Sequence, residues 1–380
     1  MYNIECEGKV SSIISHFPLG SELYILYPDI MKIGLAGYSG SGVTTLLALL
    51  SEDVELAGRH AGPEIRSVVV EDQRLDQLDD FFKPKKVTPL QVEVVELGDL
   101  RPEEGGGLRK ETLARSAGLD AMALVLRGFA APLSPECRPS EELTGELESL
   151  MQEFAIADLL PVENRLEKLG KEGNLISREG QLLTRLKTGL EDGTPVRGMS
   201  LDKDEIRILA GYNFLTLVPL MVIANLGAEC MDKVHYRGLD DRCSGEGINY
   251  LEMPGFSEFE ILEIPVEERG PFLADLGILV PARKRFIEAV MAQLHLITFF
   301  TVSDREVRAW TVPEETPAAV AAGKIHTDME RGFIRAEVIS VDDCINFGGL
   351  SGAREAGKLR VEGKDYRLKD GEILHVRFNV

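Results

Sequence analysis

The sequence predicts an α/β fold with a mostly parallel sheet, interrupted by a helical hairpin and followed by a smaller α+β module. Three observations predict it. A strand-like run meets a glycine-rich turn and an apolar helix within residues 31–50. Several short aliphatic runs follow, separated by helical or turn material. From about residue 296 the texture changes to closely spaced strands.

The first element is Met31-Lys-Ile-Gly-Leu-Ala36, which reads as a buried strand. A Gly/Ser turn and the helical run Thr44-Thr-Leu-Leu-Ala-Leu-Leu50 come next, and strand, glycine turn and helix in that order open an α/β unit. Residues 67–70, 92–97, 121–126 and 217–225 supply further strands, aliphatic enough for the centre of a parallel sheet. Pro219 marks the entry of the last of these, because proline cannot donate inside a ladder. Residues 146–169 then place Leu147, Leu150, Phe154, Ala157, Leu160 and Leu166 at spacings of threes and fours, and a second helical stretch runs over 175–190. The pair predicts an antiparallel hairpin at 140–192, either a coiled-coil-like projection or a cover for the sheet. Strands at 298–302, 307–312, 334–340, 358–361 and 374–379, with one short helix near 317–323, complete the chain. The expected division is 31–139 with 193–296 for the α/β domain, 140–192 for the hairpin and 297–380 for the terminal module. Residues 1–30 read as an extension upstream of a start at Met31.

Composition narrows the function. The 380 residues are 44% hydrophobic, enough for more than one core, and no run of about 18 uncharged apolar residues crosses a membrane. No signal peptide is evident. The five cysteines (Cys6, Cys137, Cys230, Cys243 and Cys344) form no CxxC pair, which argues against a disulfide framework or zinc site and fits a cytoplasmic protein. A net charge of −21 disfavours broad wrapping of DNA but leaves room for a local basic patch.

The turn Gly37-Tyr38-Ser39-Gly40-Ser41-Gly42-Val43-Thr44 has the spacing of GxxxxGK[ST], with valine at the lysine position. In that motif backbone N–H groups cradle phosphates, the lysine reaches the β and γ oxygens, and the hydroxyl holds Mg²⁺. On spacing alone a plain strand-to-helix turn fits equally well. Losing a charged hydrogen bond of ~1.5–3 kcal/mol lowers affinity by roughly one to two decades. Turnover suffers more, because the cation offsets charge developing in γ-phosphoryl transfer.

Later segments resemble the YchF, or Obg-like ATPase, family of P-loop proteins. They include Arg308-Ala-Trp-Thr311, Gly323-Lys-Ile-His-Thr-Asp328, Glu330-Arg-Gly-Phe-Ile-Arg-Ala-Glu-Val338 and the terminal His375-Val-Arg-Phe-Asn-Val380. Upstream, Arg74-Leu-Asp76, Lys83-Pro-Lys-Lys86 and Glu163-Asn-Arg-Leu-Glu167 agree. The resemblance spans residues 31–380 and implies a P-loop G domain, a helical insertion and a C-terminal β-grasp (TGS) domain. It also implies binding of ATP or GTP with Mg²⁺, slow hydrolysis and association with the ribosome. Departures cluster at the nucleotide motifs. Glu96-Leu-Gly-Asp99 stands where the family has DxxG, placing an anionic Asp99 near the γ-phosphate. The switch region around residues 59–66 is shortened, and Asn225-Leu226-Gly-Ala-Glu229 shifts the acid of NxxE by one position.

The expected site therefore comprises residues Gly37 to Thr45 on the phosphates, Asn225 and Leu226 at the purine, and Thr44 with Glu96 on Mg²⁺. Lys32, Arg59 and Lys110 are candidates to replace the missing cation. His326 and His375 have no partners at ligand spacing and read as structural. Arg331, Arg335, Arg354, Lys358, Arg360 and Lys364 form either an rRNA-facing strip or solvated strand faces balanced by Glu330, Glu337 and Glu355. Two functions remain in view: a purine-nucleotide-binding, ribosome-associated protein with impaired hydrolysis, and a pseudo-NTPase scaffold acting through its hairpin and TGS domain.

Overall fold

The computed structural model describes residues 30–56, 62–103, 106–130, 136–231 and 236–379. The expected extension at 1–30, apart from its last residue, and Arg59 and Cys6 lie outside them. The chain forms two compact units, Met31–Val68 with Glu93–Gln293, and Val69–Val92 with Leu294–Val380. Residues 69–92 thus belong with the C-terminal module, where sequence reading places them in the α/β domain.

In the first unit, β1 (Met31–Gly37), β2 (Ile65–Val69), β4 (Gln91–Asp99), β5 (Ala121–Arg127), β6 (Leu220–Asn225) and β7 (Asn249–Met253) form one sheet in the order β2-β4-β1-β5-β6-β7. β1 runs parallel to β5, β5 to β6 and β6 to β7. β6 is buried along its whole length and β5 up to its last residue, which explains their near-continuous aliphatic sequences. The strand expected at 217–225 begins only at Leu220. A 3₁₀ turn occupies Leu215–Leu217, and Pro219, without a donor of its own, accepts from the Met122 N–H. Because β4 and β5 lie on opposite sides of β1, the carboxyl end of β1 is a topological switch point, where open α/β sheets form ligand crevices.

The hairpin consists of a 32-residue helix, Ser140–Lys171, and the helix Arg178–Glu191, started by Ser177 accepting from the Gly180 N–H. Leu143, Leu147, Leu150 and Phe154 join the same core as Leu97, Leu124 and Val222, so this half of the helix covers the sheet. Farther along, Leu160 is 54% exposed while Asp158 and Val162 are buried. Asp158 accepts from the Leu215 and Thr216 N–H groups and the Thr216 hydroxyl, each within 2.8 Å. Those bonds anchor the helix to the segment that leads into β6. Arg165–Glu179 and Lys187–Glu163 pair across the two helices.

Cys137 and Cys230 form a disulfide, correcting the expectation of free thiols throughout. Their separation of 93 residues hides a pairing that the fold creates by bringing the two Cα atoms to 5.7 Å. Cys243 and Cys344 are buried free thiols.

The second unit contains β3 (Lys86–Thr88), β8 (Leu296–Val302), β9 (Glu306–Pro313), β10 (Phe333–Ser340), β11 (Arg360–Glu362) and β12 (Glu372–Phe378), in the order β11-β10-β12-β8-β9-β3. The central pair β12–β8 is parallel, flanked by antiparallel β10 and β9, and β3 adds a parallel edge to β9. Four helices, not the one expected, lie within 296–379: Ala318–Ile325, Thr327–Arg331, Val341–Asn346 and Gly349–Glu355. The added ones span five to seven residues, too short to show a helical period. Trp310 is buried, stacks on Phe299 at 6.3 Å and donates from Nε1 to the Thr301 hydroxyl. Within the basic strip Arg354 pairs with Glu337, Lys358 with Asp343 and Arg360 with Glu372, so half of its six residues are balanced by acids. His326 accepts the Asp328 N–H as the cap of Thr327–Arg331, a structural role.

Candidate functional site

Strand β1 ends at Gly37, and helix Val43–Ser51 begins after a turn closed by the Ser41 N–H donating to the Tyr38 carbonyl at 3.0 Å. Both outer glycines are required by contact. A Cβ on Gly37 would sit 2.5 Å from the Val125 carbonyl oxygen, and one on Gly42 would sit 2.2 Å from Asn225 Nδ2. Gly42 also holds φ at +92°, which favours glycine.

A cavity of about 690 Å³ opens at this turn. Gly37, Tyr38, Ser39, Gly40, Gly42, Val43, Thr44 and Thr45 line it together with Glu96, as do Gly98, Asp99, Arg109, Glu111 and Arg115. Ser41 is 1% exposed and lies inside the turn, with a hydroxyl that has no hydrogen-bond partner among the described residues. Asn225 and Leu226 are also outside the lining, at 2% and 1% exposed.

Asn225 has both ends of its amide engaged by backbone. Nδ2 donates to the Ser41 carbonyl at 2.8 Å, and Oδ1 accepts from the Gly255 N–H at 3.1 Å. Sequence reading assigns it to a purine edge; in the structure it joins the phosphate turn to the start of the helix Gly255–Ile261 that follows β7. Leu226 donates its N–H to the Met253 carbonyl at 2.8 Å.

The two expected metal ligands meet. Thr44 Oγ1 donates to Glu96 Oε1 at 2.7 Å, and Glu96 Oε2 accepts from the Glu64 N–H at 3.3 Å. A hydroxyl and one carboxylate facing a phosphate-sized cavity suit Mg²⁺, which takes few protein oxygens and completes its shell with phosphate and water. No cluster of three or more His, Cys, Asp or Glu among the described residues offers an all-protein cage.

Asp99, expected to repel a γ-phosphate, is neutralised locally. Its Oδ1 accepts from the Ser39 N–H at 2.9 Å, and Arg101 Nε donates to Oδ2 at 2.8 Å. Burial pushes the Asp99 carboxyl up, but Arg101 and the Arg101 and Ser39 N–H groups outweigh it and hold it below its ordinary value. A carboxylate therefore rests on a phosphate-loop amide.

Sequence reading missed Arg109, Glu111 and Arg115. They follow a glycine run beyond β4, and only the fold turns that segment back to the cavity. Of the cations considered, Lys32 extends toward Glu93 at 4.0 Å and Lys110 is not in the lining.

Residues 296–379 match the family YchF-GTPase_C, described as "Protein of unknown function (DUF933)". The "Ribosome-binding ATPase YchF" of Haemophilus ducreyi is 38% identical, over 92% of this chain and 99% of that one. The proteins of that name from Escherichia coli O157:H7 and Bacillus subtilis are 35% and 30% identical, over 92% of this chain and 99% and 100% of theirs. The solved "Structure of the Schizosaccharomyces pombe YchF GTPase" shares the fold, with a TM-score of 0.76 at 24% identity, covering 94% of this chain and 100% of that one. With relatives 30–38% identical over nearly the whole of both sequences, the chain belongs to the YchF family.

Proposed function

We propose that this chain binds a purine nucleotide, ATP or GTP, with Mg²⁺ in the cavity at the carboxyl end of β1, and works in association with the ribosome. One observation carries the nucleotide reading: a phosphate turn with both glycines locked by contact sits beside the Thr44–Glu96 pair in a single cavity. The amides between Gly37 and Thr45 that are not engaged by Tyr38 or Asp99 grip the phosphates. Mg²⁺, when bound, offsets phosphate charge, and Thr44 and Glu96 hold it. Asn225 fixes the shape of the turn. Hydrolysis is slow because Val43 brings no charge to the transferring phosphoryl group.

Ribosome association is supported by the names of the relatives. We assign the contacts with rRNA or ribosomal protein to the hairpin and to the C-terminal module, read as a TGS domain. Among the described residues no helix is long and apolar enough to cross a membrane. Association with the ribosome supports a cytoplasmic location.

A second reading, a scaffold without turnover, draws on Val43 and on the Asp99 carboxylate occupying the Ser39 amide. Titration with ATP and GTP, with and without Mg²⁺, beside Val43→Lys, separates the two. Saturable Mg²⁺-dependent binding with turnover raised in Val43→Lys supports the first. No saturation at millimolar nucleotide leaves the scaffold.

A further inference from the structure

We infer that Arg109, in the lining of the phosphate cavity, supplies the positive charge that position 43 lacks. The inference rests on the nucleotide reading above and names the residue that makes it workable. The charge balance of the cavity requires such a group. Glu96 and Glu111 line it beside Asp99, which Arg101 already balances, Val43 is apolar, and a nucleoside triphosphate adds more negative charge. Backbone amides alone do not offset that much anionic charge.

Four arginines stand at or near the cavity: Arg101 and Arg115 are committed, Arg127 approaches the turn beside Gly40 without lining the cavity, and Arg109 lines it. Arg101 is engaged by Asp99, and Arg115 Nη1 donates to the Pro63 carbonyl at 3.1 Å. Arg109 lines the cavity and has no hydrogen bond or ion pair from its side chain with any described residue. Its backbone is nonetheless fixed. The Arg109 carbonyl accepts from the Leu113 N–H at 3.1 Å, and Leu108 and Thr112 on either side are buried. A free guanidinium on an anchored backbone can swing across the cavity mouth without cost to the fold.

Guanidinium suits this task better than the ammonium it replaces. Its planar fork binds two phosphate oxygens at once, and its charge does not depend on pH in the working range. A lysine at position 43 would reach the phosphates from within the turn, whereas Arg109 approaches from outside. The two positions are therefore interchangeable in charge and separable by mutation.

The test is equilibrium binding of Mg²⁺-ATP and Mg²⁺-GTP to the full chain and to five variants: Arg109→Ala, Arg109→Lys, Lys110→Ala, Val43→Lys, and Arg109→Ala combined with Val43→Lys. Arg109→Ala should weaken binding about 10- to 100-fold, as expected for loss of a charged hydrogen-bond partner. Lys110→Ala should stay within about 3-fold of the parent. Arg109→Lys should recover part of the loss, and Arg109→Ala should cost less in the Val43→Lys background than in the parent, a coupling that a purely structural role for Arg109 would not give. If the parent binds nucleotide and Arg109→Ala binds equally well, this inference fails and the nucleotide reading stands. A loss in Arg109→Ala that Arg109→Lys does not repair and that is as large in the Val43→Lys background also overturns it. If the parent shows no saturable binding, both fall together.

Discussion

Replacing Asn225 with alanine tests whether this side chain braces the phosphate turn or reads a base. Asn225 is 2% exposed and joins two backbone groups, the Ser41 carbonyl at 2.8 Å and the Gly255 N–H at 3.1 Å. Truncation leaves both partners unpaired in a buried place. Each orphaned group costs ~1–3 kcal/mol, so the first unit should lose ~2–6 kcal/mol, toward the lower end if a water enters the gap. Urea unfolding followed by far-UV circular dichroism measures the loss. Trp310, the single tryptophan, lies in the second unit, and its fluorescence gives an internal control. The brace also predicts coupling with Gly42, since a Cβ there would sit 2.2 Å from Asn225 Nδ2. Gly42→Ala should cost less in the Asn225→Ala background than alone, although strain from φ +92° persists in both. An Asn225→Ala protein as stable as the parent, with nucleotide affinity lost, would refute the brace and restore a base contact.

Three further outcomes are expected. Glu96→Ala removes the carboxylate that accepts from Thr44, so nucleotide binding should lose most of its Mg²⁺ dependence; titration with and without Mg²⁺ checks this, and an unchanged dependence would count against the metal assignment. Cys137→Ser opens a link spanning 93 residues and should lower stability by ~2–4 kcal/mol in oxidising buffer, with no difference from the parent in dithiothreitol. Asp158 is pushed up to about 7 by burial, against the pull of Thr216, Leu215 and Arg197. Between the unfolded value of ~4 and about 7 the folded chain holds a proton the unfolded chain lacks. That contribution is fully present below ~pH 4 and is lost as pH rises through about 7. Asp158→Asn should flatten this decline, as read from urea midpoints at pH 5 and pH 8.

What the sequence revealed about this molecule depended on how local the signal was. β1, β5 and β6 were legible because strands buried on both faces write their burial as unbroken aliphatic runs. The glycine positions of the phosphate turn were legible because the motif has fixed spacing. β3 was not, since it has only three residues, and its partner on β9 lies 220 positions away, as in Lys86–Glu306. The Cys137–Cys230 pair was hidden for the same reason, and so was the membership of residues 69–92 in the second unit.

The site shows a sharper version of this limit. Composition and motif revealed that position 43 lacks its lysine, but they weighed cations by closeness in sequence to the turn or its switches. Charge acts through space, and the relevant question is which guanidinium faces the cavity with no other anion to hold it. Arg101 has Asp99, Arg115 donates to the Pro63 carbonyl, Arg127 approaches Gly40 from outside the lining, and Lys110, next to Arg109 in sequence, is not in the lining either. Loss of a residue that acts by charge need not abolish the activity it served, provided the fold carries another cation to the same phosphate oxygens. On this reasoning Val43 tolerates its place in the turn because residues within 109–115 line the cavity, and deleting that segment should harm nucleotide binding more than any substitution at position 43.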